Sequence, residues 1–396
     1  MKRLPSDRRT FVSLGLQSVV NAFVYSTYVA RLPDIRDEAG LSIAAMGLVM
    51  TIGNVAGLAA MVPSASLIRR WGSKRVMVVS SVAYVLTLPV LGSSSSPAML
   101  LAAVMAMMVT NALVDVAVGM QSATFSSRRH YPAMSRLSRL YSLGTVGGGV
   151  VASVIVAAGF DVSLHLFALA IALAFALVFV SPGLLPADER PAGHQERLRG
   201  APPATWIGIA VLAVASALAV PLDIVPGEWS TFRVTDDLSG SQSQATLAFV
   251  AFTVGMTGGR LAGDRATARL GATRLLRGAV VLSATGLAVA AAVPAVGVVT
   301  AGVLLAGLGI SVVSPLLTEA AGRTPDPAFT AMFLGNRLAV LLTPLAMGAL
   351  AGTPALTVGA AMITLVVPSG LLLLLLGAAA VRAGREGRPK AALASP

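Results

Sequence analysis

Long apolar stretches alternate with short polar breaks along almost the whole chain, from Thr10 to Val381. Each stretch is close to the roughly 20 residues that a helix needs to cross the hydrocarbon core of a bilayer. In lipid every backbone polar group must be satisfied within the protein, so runs of this length predict helices. Twelve spans are predicted, at 10–30, 42–66, 76–93, 98–121, 140–159, 162–182, 205–225, 245–264, 276–294, 296–318, 328–350 and 355–381. Only the turn signal at Pro294–Gly297 divides the ninth from the tenth. The expected class is an all-α membrane protein.

The longest polar break that falls between an even number of spans on either side is 184–204, rich in Pro, Gly and charge, which suits a surface linker. It sets six spans before it and six after, so the expected organisation is an N-terminal half at 1–183, the linker at 184–204 and a C-terminal half with its tail at 205–396. A second break, 226–244, is expected to be a loop on the opposite side, carrying Glu228, Trp229 and the pair Asp236/Asp237.

Composition agrees with the pattern. Hydrophobic residues make up 56% of the chain and charged ones 12%, against about 25% charged in soluble domains. The formal charge of +12 invites a nucleic-acid reading, but the distribution of basic residues answers it. With the N-terminus inside, the inner breaks and termini gather 25 of the 29 Lys/Arg, the outer breaks hold Arg31, Arg36 and Arg233, and Arg337 lies within a span. This is the positive-inside bias of a multi-pass inner-membrane protein with both termini cytoplasmic. The basic start, followed by a run longer than a signal-peptide core, reads as an uncleaved first helix. The absence of cysteine removes disulfides, thiolate metal sites and cysteine nucleophiles.

The two six-span halves joined by a linker resemble the major facilitator superfamily. The most specific local sign is the break after span two. The family pattern there is Gly-x-Leu-Ala-Asp-Arg-x-Gly-Arg-Lys, and this chain reads Ala65 to Lys74, matching at Leu67, Arg70, Gly72 and Lys74. The acidic position is Arg69, which places in doubt the latch that the resemblance implies for the outward-facing state. The corresponding place after span eight, from Gly259 and Arg260 to Arg265, keeps an acid as Asp264. The recurrence looks like the internal repeat of this fold. Arg31-Leu32-Pro33, Asn111 to Asp115, Trp229-Ser230 and Gly259 to Asp264 are similar to a bacterial inner-membrane branch, the YbjJ-like group. Of the antiporter pattern Gly-Pro-x-x-Gly-Gly, Gly144 to Gly149 keeps only part, with Thr145 at the proline position.

Ionisable groups at membrane depth are functional candidates by default. Asp115 in span four and Asp223 in span seven are suited to taking up a proton or meeting substrate. Asp223 is expected near the outer end of its span, between Pro221 and Pro226, where the prolines suggest a bent helix. Arg337, beside Asn336 in span eleven, is expected to bind an anionic group or to be the counter-charge of Asp115 or Asp223. Asn111, Asn21, Tyr25 and Asn54 are candidates for a polar cavity wall. For Tyr28 and Trp229 the aromatic belt at the membrane interface is the favoured reading. Arg70, Gly72, Lys74, Arg260 and Asp264 are the gating-loop candidates. His130, His165 and His194 share no helix face, so no metal is expected, and no phosphate-binding loop is present.

These readings converge on a monomeric secondary active transporter without cofactors. It would move a small organic solute through the bilayer by alternating access, coupled to protons, in the direction of efflux. Uptake of a sugar-like or anionic solute is the alternative, and a transporter-like sensor that moves nothing is another. The acid and base groups are too scattered for an enzyme, and no nucleic-acid partner is expected.

Overall fold

The computed structural model describes residues 6–129, 133–185, 203–321 and 327–386. Positions 186–202 of the expected linker lie outside them, as do His130, His194, Arg323 and the outermost basic residues of both termini. Among the described residues the chain is helical, with no strand. Among the described residues eleven helices are long and apolar enough to cross a membrane.

The N-terminal set comprises α1 (Asp7–Ala30), the short α2 (Leu32–Glu38), α3 (Ile43–Trp71), α4 (Ser73–Gly92), α5 (Pro97–Arg129), α6 (Ala133–Ala157) and α7 (Val162–Val180). The C-terminal set comprises α8 (Pro203–Ile224), α9 (Ser230–Phe232), α10 (Gln242–Leu270), α11 (Ala272–Ala292), α12 (Val296–Ile310), α13 (Val313–Ala321), α14 (Pro327–Ala351) and α15 (Val358–Glu386). Each set packs mainly within itself, as α1 on α6 and α10 on α12. Two seams, α6 on α10 and α3 on α14, join the sets.

Eleven spans, rather than twelve, meet the length and apolarity of a crossing helix, and α1 is the one that does not. It has 24 residues, enough length to cross, but Ser13, Gln17, Ser18, Asn21, Ser26 and Thr27 dilute its apolarity. All six are buried in protein, and a helix shielded from lipid by its neighbours need not be apolar all round.

The two sets repeat one another locally. Both α3 and α10 have 29 residues and begin at a serine, Ser42 or Ser241, whose side chain accepts from the backbone N–H three residues on. Both end at a glycine with positive φ, Gly72 at 82° and Gly271 at 75°, where a side chain would be strained. The repeat suggested by the sequence around Arg70 and Asp264 is thus matched in backbone conformation.

The break expected at 226–244 is not a loop. α8 continues through a π-helical stretch, Val225–Trp229, then α9 and a second π stretch, Arg233–Asp237. Pro226 has no N–H to give to the carbonyl four residues back and its ring crowds it. The helix widens to i→i+5 bonding instead of stopping. The span therefore runs Trp206–Asp237, so Asp223 lies near its middle rather than at its outer end. Trp229 is 0% and Tyr28 1% exposed. The interfacial-belt reading therefore fails for both, because each is enclosed by packed helices instead of facing lipid headgroups.

Candidate functional site

Between the two sets lies a cavity of about 1020 Å³. Its deep wall is built by Ser18 and Asn21 of α1, Asp115 of α5, Tyr141 of α6, and Ser216 and Asp223 of α8. Ser216, Ala219, Val220 and Asp223 follow the i, i+3, i+4, i+7 spacing of one helix face. The mouth is formed by Arg139, Asp264, Thr267 and Glu319, at the end expected to be cytoplasmic. A smaller chamber of about 180 Å³ continues deeper, past Asp223 and Arg260, to Tyr25, Glu228, Phe249 and Phe252.

Asp115 accepts hydrogen bonds from Asn21 Nδ2 at 3.1 Å and Asn111 Nδ2 at 3.5 Å. Asp223 makes no hydrogen bond or ion pair among the described residues. Arg260 Nη1 donates to Ser142 Oγ at 2.6 Å across the α6–α10 seam. Tyr25 Oη donates to Glu228 Oε1 at 2.7 Å, again from one set to the other. In an ideal α-helix residues five apart point roughly 140° away from each other. The π stretch turns Glu228 back towards the face of Asp223, so both line the small chamber.

The opposite end is closed by polar cross-links. Arg36 Nη1 and Nη2 pair with Asp236, the latter to Oδ1 at 3.1 Å, and the guanidinium lies 5.1 Å from the centre of the Phe232 ring. Burial disfavours the Arg36 charge, but the hydrogen bonds and charges of Asp236 and Asp37 outweigh it and hold its pKa above the ordinary value. Arg36 therefore stays charged at any physiological pH. Arg31 pairs with Asp34 at 2.7 Å and donates to Phe160 O at 2.8 Å, tying α1 to the start of α7. Burial pushes the Asp34 carboxyl upward, against the opposing charge of Arg31. In the C-terminal set Arg233 pairs with Asp237 at 2.6 Å, and Asp237 accepts from Val358 N and Gly359 N at the start of α15. The closure also needs small residues. A Cβ on Gly348 would lie 2.9 Å from Gly47 Cα across the α3–α14 seam.

The residues singled out in sequence divide as follows. Asn21, Asp115, Asp223, Arg260, Asp264 and Asn336 line the large cavity, and Tyr25 the small one. Asn111 stands behind Asp115. Asn54 instead bridges the α3–α14 seam, 3.5 Å from Val340 O. Arg337 stacks on Phe333 at 4.8 Å and leaves Nε without a partner. No ion pair joins it to Asp115 or Asp223 among the described residues. Arg70 and Lys74 have no ion pair among them either. Glu228, Tyr141, Ser216 and the Arg36–Asp236 pair were not foreseen. A carboxylate held between apolar neighbours in Val225–Phe232 was the available signal for Glu228.

The sequence pattern of the Major Facilitator Superfamily matches residues 14–226. An uncharacterized MFS-type transporter of Yersinia pestis is 27% identical over 374 residues, covering 94% of this chain and 95% of that protein. The membrane protein MosC of Rhizobium meliloti is 22% identical over 80% of this chain and 77% of its own length. Among solved structures, the nucleoside transporter NupG superposes with a TM-score of 0.70 at 13% identity, covering 95% of this chain and 99% of that one. The human organic anion transporter MFSD10 does so with 0.61 at 15%, covering 94% and 99%. At these identities the structural matches establish the fold alone.

Proposed function

Because the chain belongs to the major facilitator superfamily and is a membrane transporter rather than an enzyme, we propose that it is a secondary active transporter moving a small organic solute by alternating access. The reading has α1 as the twelfth span, completing two pseudo-symmetric halves of six, with both termini on the cytoplasmic side of the inner membrane. The observation that carries it is the central cavity, walled by both sets, open at the end rich in Lys/Arg and closed at the other by the Arg36–Asp236 pair. That arrangement is an inward-facing state. Rocking of the halves would break the outer pair and bring the inner loops at Gly72 and Gly271 together.

Protons are the proposed coupling ion, with Asp223 the carrier because it lies at the junction of both chambers and makes no hydrogen bond or ion pair among the described residues. Arg260 replaces Arg337 as its counter-charge, since Arg260 lines both chambers beside Asp223. The proposed direction is efflux, for which the inward-open cavity is the loading side. The alternative is uptake of a sugar-like or anionic solute.

The test is solute-driven proton flux in proteoliposomes of purified protein. Flux that is lost in Asp223→Asn supports the reading. Solute binding without any solute or proton movement overturns it in favour of a sensor.

A further inference from the structure

The deep wall of the central cavity brings acidic side chains of both sets to one space. Asp115 comes from α5 and Asp223 from α8, so two carboxylates of different sets face one space. Glu228 adds a third just beyond. The one guanidinium on this wall, Arg260, gives one of its donors to Ser142 Oγ and is the single positive charge set against the three carboxylates. An ionised carboxylate only accepts hydrogen bonds, and Asp223 has no donor among the described residues. An unpaired charge at membrane depth costs several kcal/mol, and a single guanidinium stands against three carboxylates here, so a further donor of opposite charge suits this wall.

Two further side chains point the same way, and neither is acidic. Asn21 is 6% exposed, spends Nδ2 on Asp115 and leaves Oδ1 buried without a partner. Ser216 is 7% exposed, lines the cavity two turns before Asp223 and makes no hydrogen bond among the described residues. An ammonium group carries three donors and no acceptor, which suits two carboxylates and an amide oxygen. Tyr141 on the same wall is an aromatic side chain of the kind that favours cations. An anion would meet Asp115 and Asp223 directly.

We propose that the wall formed by Asn21, Asp115, Ser216 and Asp223 is a binding site for the protonated amine of a small organic solute. That this solute is carried across the membrane rests on the transport reading above; the site itself does not.

The experiment is ligand binding to the purified protein in nanodiscs, read by calorimetry and by shift in melting temperature. Two matched triplets are used: phenethylamine, 2-phenylethanol and phenylacetate; and glucosamine, glucose and glucuronate. The expected result is binding of an amine with at least tenfold preference over its alcohol and carboxylate, weakened tenfold or more in Asp223→Asn and in Asp115→Asn. Should a charge variant not fold, Ser216→Met, which crowds the same wall, is expected to abolish amine binding. Failure of both amines to bind, equal binding of an alcohol or carboxylate, or amine binding indifferent to these variants overturns the proposal. Flux of a neutral or anionic solute in place of amines also overturns it and leaves the transport reading intact. Amine binding of the expected pattern without flux upholds the site and removes the transport reading.

Discussion

The two ends of the central cavity are built from different materials. At the closed end, charges are paired across or within the sets, as Arg36 with Asp236 and Arg233 with Asp237, and glycine backbones meet at Gly47 and Gly348. At the open end, Arg70, Lys74 and Asp264 have no ion pair among the described residues. The difference teaches where conformational energy is held in this state. On the proposed alternating cycle the closed end carries the contacts that would break, and the open end carries charges available for contacts in the other state.

Four single substitutions and one double substitution sharpen that contrast. Gly348→Leu should have the largest effect, because its neighbour across the seam is backbone and cannot give way. Overpacking of this kind costs about 1–3 kcal/mol. A labelling assay is expected to show the outer end opening, since each ~1.4 kcal/mol changes the population ratio about tenfold. An outer end as protected as in the native chain would show that the seam is not part of the closure.

Arg36→Ala comes next. It removes a cross-link that is partly shielded from water, worth about 1–2 kcal/mol, between the values of exposed and buried pairs. Double substitution with Asp236→Ala is expected to cost little more than the single change, and strict additivity would argue that the pair is not coupled. Asp237→Asn acts on stability rather than on opening of the outer end: it removes the counter-charge of buried Arg233 and weakens the cap at the start of α15, and should lower stability by about 3 kcal/mol. A smaller melting-temperature change than that of Asp264→Asn would contradict this role. Asp264→Asn is expected to change stability by less than ~0.5 kcal/mol, while slowing transport if the acid is used in the other state. Unaltered transport would remove it from the gate.

The fold was largely legible because lipid imposes it. Runs of about 20 apolar residues have one outcome, and even the narrow turn between the ninth and tenth spans falls where Pro294 and Gly297 place it, at Val293–Ala295. What failed was local chemistry with two outcomes. Pro226–Gly227 reads as a turn, yet within a supported span it widens the helix, and this moved Asp223 to mid-membrane and concealed Glu228. Trp229 and Tyr28 read as interfacial because sequence does not tell an aromatic near a helix end from one enclosed by other helices. For the site, individual residues such as Asn21, Tyr25, Asp115 and Asp223 were legible as polar groups in apolar runs. Their partners were not. The bonds from Asn21 to Asp115 and from Tyr25 to Glu228 join positions 94 and 203 residues apart, and only packing decides such pairings. Arg337 shows the same limit, since it turns to Phe333 rather than to a carboxylate.

The central claim is that opening of one end and closing of the other are a single motion. The chain has no cysteine, so paired spin labels can be placed without removing any. One pair, Glu38→Cys with Ser239→Cys, reports the outer end, and another, Arg75→Cys with Arg274→Cys, reports the inner. Electron–electron distance distributions in nanodiscs should show that Arg36→Ala lengthens the outer distance and shortens the inner one in the same proportion of molecules. An outer distance that lengthens while the inner stays unchanged would contradict the account.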